Sequence, residues 1–292
     1  MRICLPISIK SDFDGYQCLI DIYNEVLDAE SDTIDFSFQN TKWFEANLAA
    51  GLGAIVELIE NKGKKVIISD IRPQQQDILQ RNGFLQKYGY SRISHRSGTI
   101  VSYQTFKPNA DNLFRDYIRN ELLSKPDFPT HSRLLGKKIT ESIFELYENA
   151  RTHGRCRQAH TCGQYYPNKN PKRLDITIVD MGNTIKTNVN EFLQQPVSGA
   201  KAIDWAVQKG NTTKTGKISG GLGLSIIFEF IELNKGKIQI VSSDGYWEYR
   251  KGETLKKDFN GIFPGTIANI EFNLDDRSSY RLKNEVSLDD IF

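Results

Sequence analysis

A chain of 292 residues carrying 38 basic against 36 acidic side chains has a formal charge of +2, which gives no global electrostatic reason to expect nucleic acid or an anionic membrane as a partner. The length suits two domains with a core each. No apolar run approaches the ~20 residues of a membrane helix and no signal-peptide pattern opens the chain, so a cytoplasmic protein is expected.

In chain order, residues 1–107 read as one α/β unit. Ile34-Asp35-Phe36-Ser37-Phe38 alternates like a half-buried strand. A helix with a small-residue face is predicted from Phe44 to Asn61, ended by Gly63. Lys65-Val66-Ile67-Ile68-Ser69 is centred on three β-branched residues and predicts a central strand ending at Asp70. Pro73 opens a second helix to Arg81, closed by Asn82-Gly83-Phe84. This order predicts a parallel sheet with crossover helices.

Over residues 30–90 the pattern resembles the STAS domain of anti-sigma-factor antagonists. The resemblance implies a link to a protein partner through this half. It departs where antagonists carry a phosphorylated serine: Glu45-Ala46-Asn47 stands there without a hydroxyl, and Thr41 is shifted from the position. A structural or dimerising module is therefore the reading of this half.

Residues 108–129 form a connection built on one amphipathic helix, Asp111 to Leu123, with Leu113, Phe114, Tyr117, Ile118 and Leu122 on one side and Pro126 and Pro129 beyond it. A longer helix follows from Ser132 to Thr152, with Ile139, Ile143, Leu146 and Ala150 facing the core. Glu145 and Asn149 lie one turn apart and emerge together on a neighbouring face. The amide oxygen of Asn149 suits a magnesium ion that keeps several waters, and the Glu145 carboxylate can polarise a water for attack on a phosphate.

Leu174 to Val179 reads as a strand running into Asp180-Met181-Gly182, where a carboxylate at a strand end could accept from an adenine amino group. A variable stretch containing Lys214 leads to Gly220-Gly221-Leu222-Gly223-Leu224 and a helix from Ser225 to Leu233. Glycines ahead of a helix let backbone amides crowd round a phosphate, and the helix dipole favours its charge. The hydroxyls and lysines upstream would form a lid. Gly265-Thr266 opens an alternating strand to Phe272 that could aim a hydroxyl into the pocket, and residues 275–292 form a polar tail or strap.

These motifs, in this order across residues 130–274, resemble the GHKL superfamily of Bergerat-fold ATPases: gyrase, heat-shock ninety chaperones, histidine kinases and MutL proteins. The resemblance implies an α/β (α+β) sandwich with a mixed, mostly antiparallel sheet covered by helices on one face, and ATP with magnesium as cofactors. It implies that Asn149 binds magnesium, Asp180 reads adenine, Gly182 allows close approach, Gly221 and Gly223 approach the phosphates, and Thr266 supports the site. Glu145 matches the hydrolytic branch, whereas histidine kinases carry asparagine there. The run from Glu145 to Gly154 is also similar to anti-sigma-factor serine kinases, and Thr184 stands where the first glycine box has its second glycine.

The expected function is a slow magnesium-dependent ATPase whose ATP state drives a conformational or oligomeric switch in intracellular signalling or defence. The alternatives are a serine/threonine kinase acting on a STAS partner, or a nucleotide-gated scaffold without turnover. Dimerisation is expected from the relatives.

The four cysteines, Cys4, Cys18, Cys156 and Cys162, are too scattered for a disulfide framework, and reduced thiols follow. His153, Cys156, His160 and Cys162 can be drawn as a zinc site; buried thiols and loop histidines explain them more simply.

Overall fold

The computed structural model describes residues 1–27, 29–94, 98–152, 156–208, 210–211 and 223–285. The fold is mixed α/β. Its first half runs β1 (Arg2–Cys4), β2 (Ser8–Ile9), α1 (Phe13–Leu27), β3 (Thr33–Ser37), β4 (Trp43–Phe44), α2 (Ala49–Asn61), β5 (Lys65–Ser69) and α3 (Pro73–Arg81). β1, β3 and β5 form a parallel sheet in that order, and β2 pairs with β4 in a short parallel ladder.

The expected strand at Lys65–Ser69 is present, but at an edge rather than the centre of its sheet. Its side chains alternate, Val66 and Ile68 facing the helices while Ile67 is 38% exposed, because the outer face of this small sheet is uncovered. Pro73 occupies the first turn of α3, and Gly83 beyond it has φ +88°, a left-handed conformation that favours glycine.

The second half runs β6 (Ile100–Phe106), α4 (Asp111–Tyr117), β7 (Thr130–His131), α5 (Arg133–Thr152), β8 (Ala159–Tyr166), β9 (Arg173–Asp180), α6 (Ile185–Leu193), α7 (Gly199–Val207), α8 (Gly223–Asn234), β10 (Lys237–Arg250), β11 (Glu253–Asn273) and β12 (Ser279–Tyr280). Five of these strands form an antiparallel sheet in the order β10-β11-β9-β8-β6. β6, which precedes residue 107, therefore belongs to this sheet. α4 passes into a π-helical turn over Ile118–Leu123. Phe114, Tyr117, Ile118 and Leu122 are buried there as expected, but Leu113 points outward and is 66% exposed.

α5 and α8 pack on one face of the large sheet with Ile139, Ile143, Phe230 and Ile231 in the core. The other face is closed as well. There α1 and α2 are held between the two sheets, Leu19, Ile20, Leu52 and Ile55 meeting Val179, Val241, Tyr246 and Ile267. The second half's own helices α5 and α8 thus lie on one face of its sheet, and the N-terminal unit supplies the cover of the other. The small residues of α2 permit the approach, since a Cβ on Gly53 would lie 2.3 Å from the Tyr103 hydroxyl.

A buried polar network joins the halves. Asn47 donates to Ser11 Oγ at 2.8 Å and Thr177 Oγ1 at 2.9 Å, and Thr177 donates to Asn269 at 2.7 Å. Beside it Arg173 bonds to Glu45, to Glu271 at 3.1 Å and faces Asp175 at 3.3 Å, while Lys237 lies 3.3 Å from Glu271. Three carboxylates share two cations here. Burial, followed by the Glu271 charge, pushes the Asp175 carboxyl well above its ordinary range. Past β11, the strap expected in the C-terminal stretch is seen as far as Glu285: β12 pairs with β7 and Glu285 accepts from Ser132 Oγ at 2.6 Å.

Candidate nucleotide-binding site

The site gathers at the end of the large sheet where β9 stops. Asp180, its last residue, is flanked in register by Ala159 of β8 and Thr266 of β11. This three-strand setting leaves Asp180 only 6% exposed. Burial pushes its carboxyl from 3.8 up to about 7, opposed by the Gly182 N–H donating to Oδ1 at 3.1 Å. One backbone donor does not saturate a carboxylate, which has about four lone-pair sites. Among the described residues the Gly182 N–H is the donor to this buried group.

β11 crosses this point closely. A Cβ on Gly265 would lie 2.0 Å from the Asp180 carbonyl oxygen, so glycine is required for the strand to pass. The Thr266 hydroxyl is 3.0 Å from Ser242 Oγ, which donates to the Gly265 carbonyl at 2.9 Å and accepts from Ile185 N–H at 2.9 Å. Ser242 thereby ties β11 to the start of α6. It is a residue the sequence reading missed, because only the pairing of Ser242 with Thr266 shows its relevance.

Thr184, where a second glycine was expected, is the N-cap of α6 with φ −75° and ψ 156°. Its hydroxyl accepts from Thr187 N–H at 3.1 Å. Extended backbone needs no glycine, and the hydroxyl fills a capping role that glycine lacks.

Glu145 and Asn149 are half-buried on α5, next to the core-facing Ile143 and Ala150. The end of α5 comes back to Asp180 through Cys156. The Cys156 N–H donates to the Ala150 carbonyl at 3.4 Å, and burial followed by the Asp180 charge raises its thiol to about 12. α5 also packs along α8, whose first residue is Gly223. Leu224 is half-buried in the apolar core, so its contribution is packing. Lys214, Gly220, Gly221 and Leu222 lie outside the described residues, as does His153.

A scan against protein-family models finds none that matches the chain, and a search of curated proteins finds no match either.

His160 and Cys162 of the cysteine–histidine cluster are committed to other contacts. His160 Nδ1 is 2.9 Å from the Tyr103 hydroxyl and Nε2 is 2.7 Å from Glu57, while Cys162 accepts from the Asn82 amide at 3.4 Å. Among the described residues no group of three or more His, Cys, Asp or Glu could hold a metal ion. Nor, among them, is any helix long and apolar enough to cross a membrane.

Proposed function

We propose that the chain is a magnesium-dependent ATP-binding protein of the GHKL type that hydrolyses ATP slowly and uses the bound triphosphate as a conformational signal. The observation that carries this reading is Asp180: a buried carboxylate at a strand end that, among the described residues, accepts from Gly182 N–H, with Thr266 beside it. An adenine amino group is a donor that such an acceptor can take.

In this reading Asp180 accepts from the adenine amino group and Gly182 leaves room for the ring. Thr266, held by Ser242, lines the adenine end. The Asn149 amide oxygen is a neutral hard donor that fits magnesium, and Glu145 one turn away orients and deprotonates the attacking water. Magnesium would supply neutralisation of phosphate charge. By the resemblance, backbone amides from Gly220 to Gly223 would contact the phosphates and Lys214 would add a cation to them; Lys214 and Gly220 to Leu222 lie outside the described residues. Dimerisation and a protein partner through the STAS-like half belong to the same proposal, as the means by which a closed lid would be read out.

Self-phosphorylation of the N-terminal half is disfavoured. Glu45, Ala46 and Asn47 are buried against the large sheet, and the Thr41 hydroxyl is buried and donates to the Leu5 carbonyl at 3.4 Å. The test is ATP binding and phosphate release measured together with γ-labelled nucleotide. Glu145→Ala should bind ATP and release no phosphate; Asn149→Ala should lose magnesium-dependent binding. Undiminished release by Glu145→Ala would sink the proposed chemistry. Label transferred to protein would mean a kinase, and tight binding without release a scaffold.

A further inference from the structure

The N-terminal unit reaches the end of β9 through a carboxylate. Glu57, in the second half of α2, accepts from His160 Nε2 at 2.7 Å and from the Gln158 amide. These two donors flank Ala159, and Ala159 is the residue of β8 that stands opposite Asp180. α2 therefore grips the chain on either side of the position paired with the buried carboxylate of the candidate site.

The grip extends to β6. His160 is 2% exposed, and with its Nε2–H directed at Glu57 the neutral ring accepts at Nδ1 from the Tyr103 hydroxyl, 2.9 Å away. Gly53, one turn earlier on α2, leaves the space that this hydroxyl occupies. One helix thus holds Tyr103 of β6 together with Gln158 and His160 at the head of β8. Burial works to raise the Glu57 carboxyl, but the bonds from His160 and Gln158 hold it below its ordinary value. It therefore meets both donors as a carboxylate, which makes the bonds charge-assisted.

The place of the grip gives it a consequence. Ala159 opens β8 and Asp180 closes β9, so theirs is the last pair of this ladder on the site side. Backbone pairs at element ends open more readily than those in the middle. On its β11 flank Asp180 is held by Thr266, with Gly265 and Ser242 behind it. On its β8 flank the anchor is Glu57. Burial raises the Cys156 thiol to about 12, with the charges of Asp180 and Glu57 adding to it, so both carboxylates border the same small region.

We infer that Glu57 is a positioning residue through which the N-terminal unit sets the affinity of the Asp180 site for adenine. The inference rests on the proposed ATP reading and adds its regulation. Glu57 acts through Gln158, His160 and the Ala159–Asp180 pair, not on the nucleotide. Linkage makes the coupling reciprocal: whatever displaces α2 weakens adenine binding, and bound adenine resists that displacement.

The test is a double-mutant cycle on the full chain. Affinities for ATP, GTP and inorganic tripolyphosphate, each with magnesium, are measured by calorimetry for the parent, Glu57→Ala, Asp180→Asn and the double variant. Guanine carries a carbonyl where adenine has its amino group, so the ATP-to-GTP ratio reads Asp180, while tripolyphosphate reads the phosphate end alone. Glu57→Ala should lower ATP affinity at least about fivefold, and the ratio with it, without changing tripolyphosphate affinity. Beside Asp180→Asn the same change should cost less than about twofold. Glu57→Gln keeps the side chain's length and one acceptor oxygen, so it should fall between alanine and the parent, and it serves where the alanine variant folds poorly. A parent that prefers ATP, matched by both Glu57 variants, would overturn the inference and leave the ATP reading standing. Equal loss of ATP and tripolyphosphate, or a full effect of Glu57→Ala beside Asp180→Asn, would reduce Glu57 to a structural role and overturn it too. A parent without preference for ATP over GTP would end both.

Discussion

Replacing Asp180 by asparagine tests the site at its most defined point. Burial moves this carboxyl from 3.8 to about 7, and each pKa unit is worth about 1.4 kcal/mol. Holding the group charged in the folded protein therefore costs roughly 4 kcal/mol. The folded state binds the proton more tightly than the unfolded state between these two values. This group's contribution to stability is thus greatest below the unfolded value, declines as pH rises towards about 7, and is level above it. Asparagine carries no such cost. Thermal melts should show Asp180→Asn gaining on the parent at pH 8 and gaining little at pH 4. Under the proposed function adenine recognition would reverse the preference, because the donor needs the carboxylate. ATP affinity of the parent should fall by up to about tenfold per pH unit below 7, and binding at pH 6 should release a proton. Calorimetry in buffers of different ionisation enthalpy reads that proton. Asp180→Asn should bind ATP at least about tenfold more weakly and without pH dependence. Proton-independent ATP binding by the parent across pH 6–8, or a variant no more stable than the parent at pH 8, would refute the reasoning.

Three further outcomes follow from the packing. Gly265→Ala places a Cβ 2.0 Å from a backbone oxygen, so strand β11 must shift; denaturant titration should show a loss of about 1–3 kcal/mol and ATP binding should weaken. Arg173→Ala leaves the carboxylates of Glu45, Asp175 and Glu271 with Lys237 alone, and should cost about 3–5 kcal/mol in a urea melt. Losing the cation raises the folded pKa of Asp175 further, so the deficit should be larger at pH 8 than at pH 5. A fragment starting at residue 98 uncovers Val179, Val241, Tyr246, Phe263 and Ile267. At about 1.5–3 kcal/mol per side chain this forfeits roughly 10 kcal/mol, comparable to a domain's whole stability, and the fragment should bind hydrophobic dye and melt without a cooperative transition.

Local pattern made several elements legible and left their neighbours hidden. Pro73 at the head of α3, Gly83 behind it, and the apolar spacing of Ile139, Ile143 and Ala150 in α5 are short-range signals, and the structure bears each out. The continuous burial of β9 is different: its alternation suggested one buried face, whereas Asp175 and Thr177 are buried too because α1 and α2 lie over them. Which element covers a face is a tertiary fact. The same holds for β6, whose partner β8 is about 60 residues later, and for α1, which carries Tyr16, Leu19, Ile20 and Val26 at helical spacing but whose packing partner no local pattern names. At the candidate site, Asp180 and Thr266 stand in motifs visible in the sequence, while Ser242 and Cys156 enter through strand pairing and helix return.

The same two strands serve both ends of the molecule. β9 carries Asp180 at the site and Arg173, Asp175 and Thr177 in the network with the N-terminal unit; β11 carries Thr266 and then Asn269 and Glu271. α2 reaches the site end too, where Glu57 holds His160 and Gln158, two residues from Cys156. A nucleotide that shifts β9 against β11 must strain contacts made to α1, α2 and the Glu45 turn, since packed interiors and bonded networks resist small displacements. In a nucleotide-driven switch this geometry would carry a change at Asp180 into the N-terminal unit through β9 and β11.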